Sequence, residues 1–483
     1  MPTAPLSPEE NPQYFSELSG VRLLDADDIY INPEGSPIKQ TLEILSRRRY
    51  YYEFFRAYFL GRHRLLFQTS KFRSLFRDLF RGFADNLLPI VIDTYSDRLR
   101  LKQFDVLKGG GKALTKELQQ IWTERRLDQT ASEVHTEALI AGDAYVIVWP
   151  NAEGEAVIYP QRAEECLVAR DPDSPEIILW ATKIWRAGNR FRLNIYWPDR
   201  VEKYATPEST QDNVAWPQSE TAFTPFEDEG GAVIPNDFGR VPVFHFANNS
   251  RCGGFGSSEL APLIALQDAL NKSCVDMLVA AEFMALPQRW ASGIEVSFDD
   301  NGAPIAPFQP GIDRVWIAAH PEARFGQFDP ANLSTYVEIQ EAFRREIARI
   351  SGIPMYYLLQ TGQFPSGDAL RMAEARLISR CQRKQGVFGN SWESLIEFAL
   401  RIEGKGGADL VLSAAWEFPA PVQPDQTIET LLLKQQIGVP RKTLLLEAGY
   451  GAEVVDQMLA EQDAQAANLG ALMQGRFDSG RIN

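Results

Sequence analysis

Residues 256–283 read GSSELAPLIALQDALNKSCVDMLVAAEF, and the reading of this stretch decides the fold. The loop Gly253-Gly254-Phe255-Gly256-Ser257-Ser258-Glu259 leads into it, with Ser258 as N-cap and Glu259 favourably charged in the first turn. Pro262 is tolerated because it falls in that first turn. The predicted helix, Ser258 to Phe283, holds 26 residues and spans roughly 39 Å at the standard rise. Residues 284–331 then carry Pro287, Pro304, Pro307, Pro310, Pro321 and Pro330 around strand-like Ile294 to Phe298 and Val315 to Ala318, which predicts a compact β insertion. A second helix is expected from Asn332, with Val337, Ile339, Phe343, Ile347 and Ile350 as its apolar stripe, ending at Ser351-Gly352-Ile353-Pro354. After the uncharged loop Gln360-Thr361-Gly362-Gln363 and Phe364-Pro365, a third helix starts at Ser366-Gly367-Asp368 and reaches Ile402. Gly386 and Gly389 each cost about 1 kcal/mol in a helix interior, so a kink is expected there.

Upstream, residues 1–40 are rich in Pro, Asn and Asp and read as an arm. From Thr41 to Leu99 the pattern is helical. Leu42, Leu45, Tyr52, Phe55 and Phe59 form one stripe before Gly61, and Phe72, Leu75, Phe76, Leu79 and Phe83 form another. Arg47, Arg48, Arg49, Arg56, Arg62, Arg64, Lys71, Arg73, Arg77 and Arg81 crowd the same stretch. Such interleaving fits nucleic-acid contact, a solvated cationic face, or a face that docks on the acidic flank of a neighbouring copy. Helices at Leu114 to Trp122 and Gln129 to Ile140 precede Gly142-Asp143, where strands begin with Ala144 to Trp149. Further strands are predicted at Ala156 to Tyr159, Glu176 to Trp185, Arg190 to Trp197 and Gly239 to Phe244, which makes the class α+β. Downstream, short helices are expected at Thr427 to Gln436 and Val454 to Glu461.

Composition narrows the function. The 483 residues carry 64 acidic and 49 basic side chains, a formal charge of −15, so the chain as a whole repels nucleic acid. Cys166, Cys252, Cys274 and Cys381 form no CxxC pair and read as free thiols of a reducing cytoplasm. The most apolar run, Met277 to Leu286, falls short of the roughly 20 residues a bilayer requires, which predicts a soluble protein. Lys108-Gly109-Gly110-Gly111-Lys112-Ala113 fails as a phosphate loop, because Val106 stands where the motif needs glycine and Ala113 where it needs Ser or Thr. Gly254-Phe255-Gly256 fails as a dinucleotide fingerprint, since Glu259 occupies the third glycine position. His63, His135, His245 and His320 form no metal-ligand spacing. Asp25-Ala26-Asp27-Asp28 reads as a turn or cap, and Glu227-Asp228-Glu229 as a solvated loop. No cofactor, metal or catalytic residue is predicted.

Several segments resemble, in order, those of portal proteins of tailed double-stranded-DNA bacteriophages. They are Asn86 to Leu99, Ala141-Gly142-Asp143-Ala144-Tyr145-Val146, Gly256 to Leu260, Ala269 to Lys272, Ala281 to Arg289, Ile350 to Pro354 and Phe364 to Leu370, and the likeness extends from about 40 to 460. The resemblance implies a non-enzymatic subunit of a ring, usually of twelve copies. It implies an arm (1–40), a wing (41–255), a stem of two helices (256–283 and 332–352) with a clip between them (284–331), a tunnel loop (353–366), a long helix with the remainder of the wing (367–425) and a short crown with the C-terminal tail (426–483). It places Gln360, Thr361, Gly362, Gln363 and Phe364 in a channel for double-stranded DNA. It gives as partners further copies of the chain, the packaging terminase, the major capsid or scaffolding protein and a head-tail adaptor. It implies residence at a capsid vertex of the virion, and in host cytoplasm during assembly.

The absence of charge in the loop suits a conduit, because each neutralised phosphate would tighten the grip on passing DNA. Arg371, Arg376, Arg380, Arg383 and Lys384 against Glu374, five bases and one acid, sum to +4 and read as a ring contact or a DNA-facing belt. Two other readings compete: a nucleic-acid-processing enzyme whose carboxylates are brought together by folding to hold a metal, and another structural or adaptor protein of a virion.

Overall fold

The computed structural model describes residues 31–62, 84–110, 112–210, 215–228, 230–251, 254–285, 289–293, 321–327, 332–358, 367–406, 409–420, 431–448, 450, 454–462 and 464. Ser36 accepts a hydrogen bond from the Lys39 amide and Pro37 follows it, so helix α1 (Pro37–Phe59) starts on a side-chain cap with a proline in its first turn. Its buried residues Thr41, Leu45, Arg48, Tyr52 and Phe55 recur every three or four positions and form one face. Gly61, at φ 71°, breaks the helix where glycine marked it. The second stripe, Phe72 to Phe83, lies outside the described residues. Helix α2 (Leu88–Ser96), strand β1 (Leu101–Lys108) and helices α3 (Lys112–Glu124) and α4 (Leu127–Ala141) follow.

Two sheets come next. Strands β2 (Asp143–Pro150), β3 (Ala156–Gln161) and β10 (Val243–Ala247) form one sheet in the order β10-β2-β3, antiparallel throughout. Strands β4 (Cys166–Arg170), β5 (Ile178–Ala187), β6 (Arg190–Tyr196), β7 (Arg200–Ala205) and β8 (Thr224–Pro225) form a second in chain order, with β9 (Val233–Pro235) also on β7. On β5 the alternation is plain: Ala181 faces the first sheet, while Trp180 and Ile184 pack toward α1. The last strand lies at Val243–Ala247 rather than Gly239 to Phe244. Pro242 lacks the amide donor a ladder needs, though its carbonyl accepts from Val148.

Helix α5 begins later than its sequence suggests. A single 3₁₀ turn covers Ala261–Leu263, and the α-helix runs from Ile264 to Ala285. Ser258 Oγ accepts from the Leu260 amide instead of capping the helix. Strands β11 (Arg289–Ser292) and β12 (Arg324–Gln327) pair antiparallel, and helix α6 (Ser334–Ser351) returns beside α5, with Gln340 reaching Met277. The strands expected at Ile294 to Phe298 and Val315 to Ala318 lie outside the described residues. Helix α7 (Gly367–Ile402) runs for 36 residues, helical through both Gly386 and Gly389. A Cβ on Gly389 would lie 3.3 Å from Trp416 Nε1, so this glycine admits the close passage of β13 (Val411–Trp416). β13 pairs antiparallel with β1, Phe104 opposite Ala414.

One continuous core unites α1, α2, α4, β1, β2, β10 and α7, with Trp392, Tyr95 and Phe246 fully buried in it. Cys166, Cys274 and Cys381 are buried free thiols, and burial pushes the Cys381 thiol up to about 11. Among the described residues no helix is long and apolar enough to cross a membrane.

Residues 420–483 form a separate unit. Its described residues include a helical stretch at 431–436, helix α8 (Arg441–Glu447), which the sequence reading did not anticipate, and a further helical stretch at 454–462. Leu444 and Val455 are its buried apolar side chains among the described residues.

Candidate functional site

The segment that joins β10 to α5 is fastened to the end of α4 by backbone contact. Gly142 closes α4 at φ 95°, where a Cβ would be strained. A Cβ on Gly256 would sit 1.8 Å from the Gly142 carbonyl oxygen, so the two backbones touch where no larger residue fits. Around this contact the Asn248 amide donates to Gly142 O (2.8 Å), the Ser257 amide to Asn248 O (2.7 Å) and the Glu259 amide to Leu139 O (2.9 Å).

Two buried carboxylates fix the segment from either side. Asp143 accepts four hydrogen bonds: from Arg48 Nη2 (2.5 Å), Tyr52 Oη (2.8 Å), His245 Nε2 (2.8 Å) and the Gly256 amide (2.6 Å). Burial alone would raise its pKa, but Arg48, His245 and the Gly256 amide outweigh burial and hold it below the usual carboxylate range. Burial keeps His245 neutral, its pKa lowered despite Asp143. Arg170 faces its Nδ1, so the network assigns the ring proton to Nε2. Arg48 lies between the rings of Tyr51, Tyr52 and Phe255.

Glu259 is the second carboxylate. Its Oε1 accepts from Arg380 Nη2 (2.6 Å), and its Oε2 from Lys384 Nζ (2.7 Å) and Asn249 Nδ2 (2.9 Å). Burial opposes its charge, yet Lys384 and Arg380 bring its pKa below the ordinary value. Arg380 then reaches to the far helix, where its Nη1 donates to the carbonyls of Ile350 and Ser351. Tyr95 Oη also donates to Ser351 O (2.5 Å), and Arg376 Nη1 to Arg349 O (3.0 Å). Three carbonyls at the end of α6 thus receive two guanidinium groups and a phenol, a cationic C-terminal cap. Arg380 therefore touches both ends of the helical excursion: the segment before α5 and the last turn of α6.

The chain leaving α6 is held as well. Ile353, Pro354 and Leu358 are buried, and Tyr356 and Tyr357 donate to Glu374 on α7 (2.5 and 3.2 Å). Arg98 donates to Tyr357 Oη (2.6 Å). Gln360, Thr361, Gly362, Gln363 and Phe364 lie outside the described residues.

The basic group on α7 divides. Lys384 is 5% exposed and bound to Glu259 and Asn248 within the same chain, so as a ring-facing or DNA-facing residue it is corrected: it is a core ion-pair partner. Arg380 is mostly committed to the same cluster. Arg376 and Arg383 are exposed, and the side chain of Arg371 lies outside the described residues. Glu259 is corrected likewise, from a first-turn charge to a buried anchor. A signal for Lys384 was present, because Leu377, Cys381, Lys384 and Phe388 recur at helical spacing and are all buried. Arg48 carries the same signal between Leu45 and Tyr52.

Both carboxylates are closed to solvent, and each is saturated with donors. The arrangement holds two helix ends on a body of helix and sheet; it offers no exposed nucleophile or vacant ligand position. Among the described residues no three His, Cys, Asp or Glu side chains converge as a metal site requires.

The sequence profile of the family described as "Phage portal protein, SPP1 Gp6-like" matches residues 42–468. The portal protein of Mycobacterium phage D29 is 25% identical over 399 residues, 79% of this chain and 80% of that one. The portal protein of Mycobacterium phage L5 is 24% identical over 397 residues, 79% of each chain. Among solved structures, a chain from the neck of a native gene transfer agent particle, computed with C12 symmetry, is similar at 13% identity, with a TM-score of 0.44, over 80% of this chain and 96% of that one.

Proposed function

The chain belongs to the SPP1 Gp6-like family of phage portal proteins, structural rather than catalytic components of the virion, and from that membership we propose that it forms a closed ring through which double-stranded DNA enters and leaves the capsid. The family match over residues 42–468 carries the reading. In it, α5 and α6 are the stem, 284–331 the clip, 353–366 the tunnel loop, 41–255 and 367–425 the wing, and 426–483 the crown with the tail. The fastening of both stem ends to one arginine supports the assignment, since a tube wall that bears load needs its helices fixed at the root. The exposed Arg376 and Arg383 serve as ring contacts or face DNA. The clip end is the docking face for the terminase during packaging and afterwards for a head-tail adaptor, while capsid or scaffolding protein meets the wing.

Electron microscopy of the purified protein tests the reading: rings with a central channel are expected, about twelve subunits around. A clean monomer at all concentrations and salts, with no rings on grids, overturns it.

A further inference from the structure

Helix α7 turns one face away from the core. Met372, Arg376, Ser379, Arg383, Gly386 and Val387 recur along it at helical spacing and are all exposed, Met372 by 80% and Val387 by 45%. Arg383 makes no ion pair among the described residues, and Arg376 commits only Nη1, to Arg349 O. Glycine destabilises a helix interior, and nothing in the chain requires Gly386, because a Cβ there would meet no atom within 4 Å. A stripe with Ser379 and Gly386 along one side and two arginines along the other has the composition of a helix-packing surface.

Helix α2 carries the complement. Its inner side chain Tyr95 lies 5.5 Å from the Arg380 guanidinium and 5.4 Å from Lys384 Nζ, ring centre to cation. Ile90, Asp93 and Asp97 occupy the other side of α2, so they point away from α7 of their own chain. Neither carboxylate has a cation partner among the described residues, and the last turn of α2 holds no basic residue. Two like charges one turn apart at the negative end of a helix dipole are locally unfavourable. Burial and the neighbouring Asp97 hold the Asp93 carboxyl above its ordinary range. Ile90 is 38% exposed beside them. From Ile90 to Asp97 and from Arg376 to Arg383 are seven positions each, roughly 10 Å of helix in both cases. Each face thus bears a local cost that its own chain does not offset, and each offers what the other lacks.

We propose that the outer face of α7 in one copy packs on the outer face of α2 in the next, with Arg376 and Arg383 against Asp93 and Asp97 and with Ile90 against Gly386 and Val387. The contact joins two different faces, so it is heterologous, and its repetition builds a ring. The inference rests on the ring reading above and gives the two arginines a protein partner instead of DNA.

Light scattering of the purified full chain reads the assembly. Arg383→Asp should lower ring yield at least tenfold and Asp97→Arg likewise, while the two changes together should restore it to within about threefold of wild type. Gly386→Leu, which puts a better helix former in place of glycine, should keep the monomer's melting temperature and still lower ring yield. Ile90→Cys with Val387→Cys should give, on oxidation, bridges that mass spectrometry locates between separate copies. Normal ring yield in the three charge and glycine variants, a loss that the double charge change does not restore, or no bridge between copies overturns the pairing and leaves the ring reading standing. Rings at normal yield with slowed packaging in Arg383→Asp assign that residue to DNA and also overturn it. A wild-type chain that forms no rings overturns both readings.

Discussion

Lys384 stands at a position whose helical spacing calls for an apolar residue, and it is there because Glu259 is buried opposite. Burying either charge alone is costly, while the pair with its amide partners is tolerated. Lys384→Met should therefore destabilise the protein by about 3–5 kcal/mol, and the double change Glu259→Gln with Lys384→Met by clearly less; urea denaturation of the four variants in the cycle measures the difference. Asp268 is a buried carboxylate with a different fate. Tyr58 Oη donates to both its oxygens at 3.0 Å, and burial pushes its pKa up to about 7 in spite of that bond. A carboxyl with a raised folded pKa gives stability that is full below its unfolded value and is lost as pH rises through the folded one. Wild-type stability should thus fall between roughly pH 4 and 7 on this account, and Asp268→Asn should flatten that slope and be the more stable protein at pH 8, on the order of 1–3 kcal/mol, which thermal melts across pH would show. His135 acts in the opposite sense. Burial lowers it to about 3, so its contribution is present above the ordinary histidine pKa and is lost in acid. None of these pairings was legible in the sequence, because Glu259 and Lys384 are 125 residues apart and Tyr58 and Asp268 are 210, and spacing rules reach one or two turns.

Elements were far more legible than contacts, for a reason that shows in where they failed. Helices at 112–124 and 127–141 extend only a little beyond their expected ranges, since their periodicity and the Gly142 stop are local signals. The strands Cys166–Arg170 and Arg200–Ala205 were missed; they are short, and pairing with neighbours rather than pattern makes them strands. The start of α5 was placed six residues early because Ser258 and Glu259 have the composition of a cap and first turn. Tertiary demand draws them instead into the contact with α4 and α7. The close approach at Gly256 makes a sharp case: Gly256→Ala forces its methyl group into the Gly142 carbonyl and should lower the melting temperature by several degrees. Arg380→Ala should leave the body folded but release the last turn of α6. Hydrogen exchange at residues 347–352 is then expected to quicken by at least tenfold while residues 134–141 keep their protection; equal loosening of both segments would refute a clamp role.

At the scale of the whole molecule, the proposed channel role makes the net charge of −15 and the uncharged segment Gln360-Thr361-Gly362-Gln363 testable together, since neither would grip a passing phosphate backbone. Gln360→Lys with Gln363→Lys should leave ring assembly intact and slow packaging, most at low salt; packaging at the wild-type rate there removes the loop from the channel. The pairing of β1 with β13 acts on another timescale. Phe104 and Ala414 are partners across some 310 positions of chain, so during synthesis β1 waits for its neighbour while roughly 15–60 s of translation passes. Through that interval a strand with Leu107 on its open edge has no ladder to complete. Ribosome-bound chains halted before residue 411 should stay open to protease at 101–108, and chains extended beyond 450 should close. A polypeptide that ends before β13 should therefore keep β1 unpaired and be cleaved faster than the full chain.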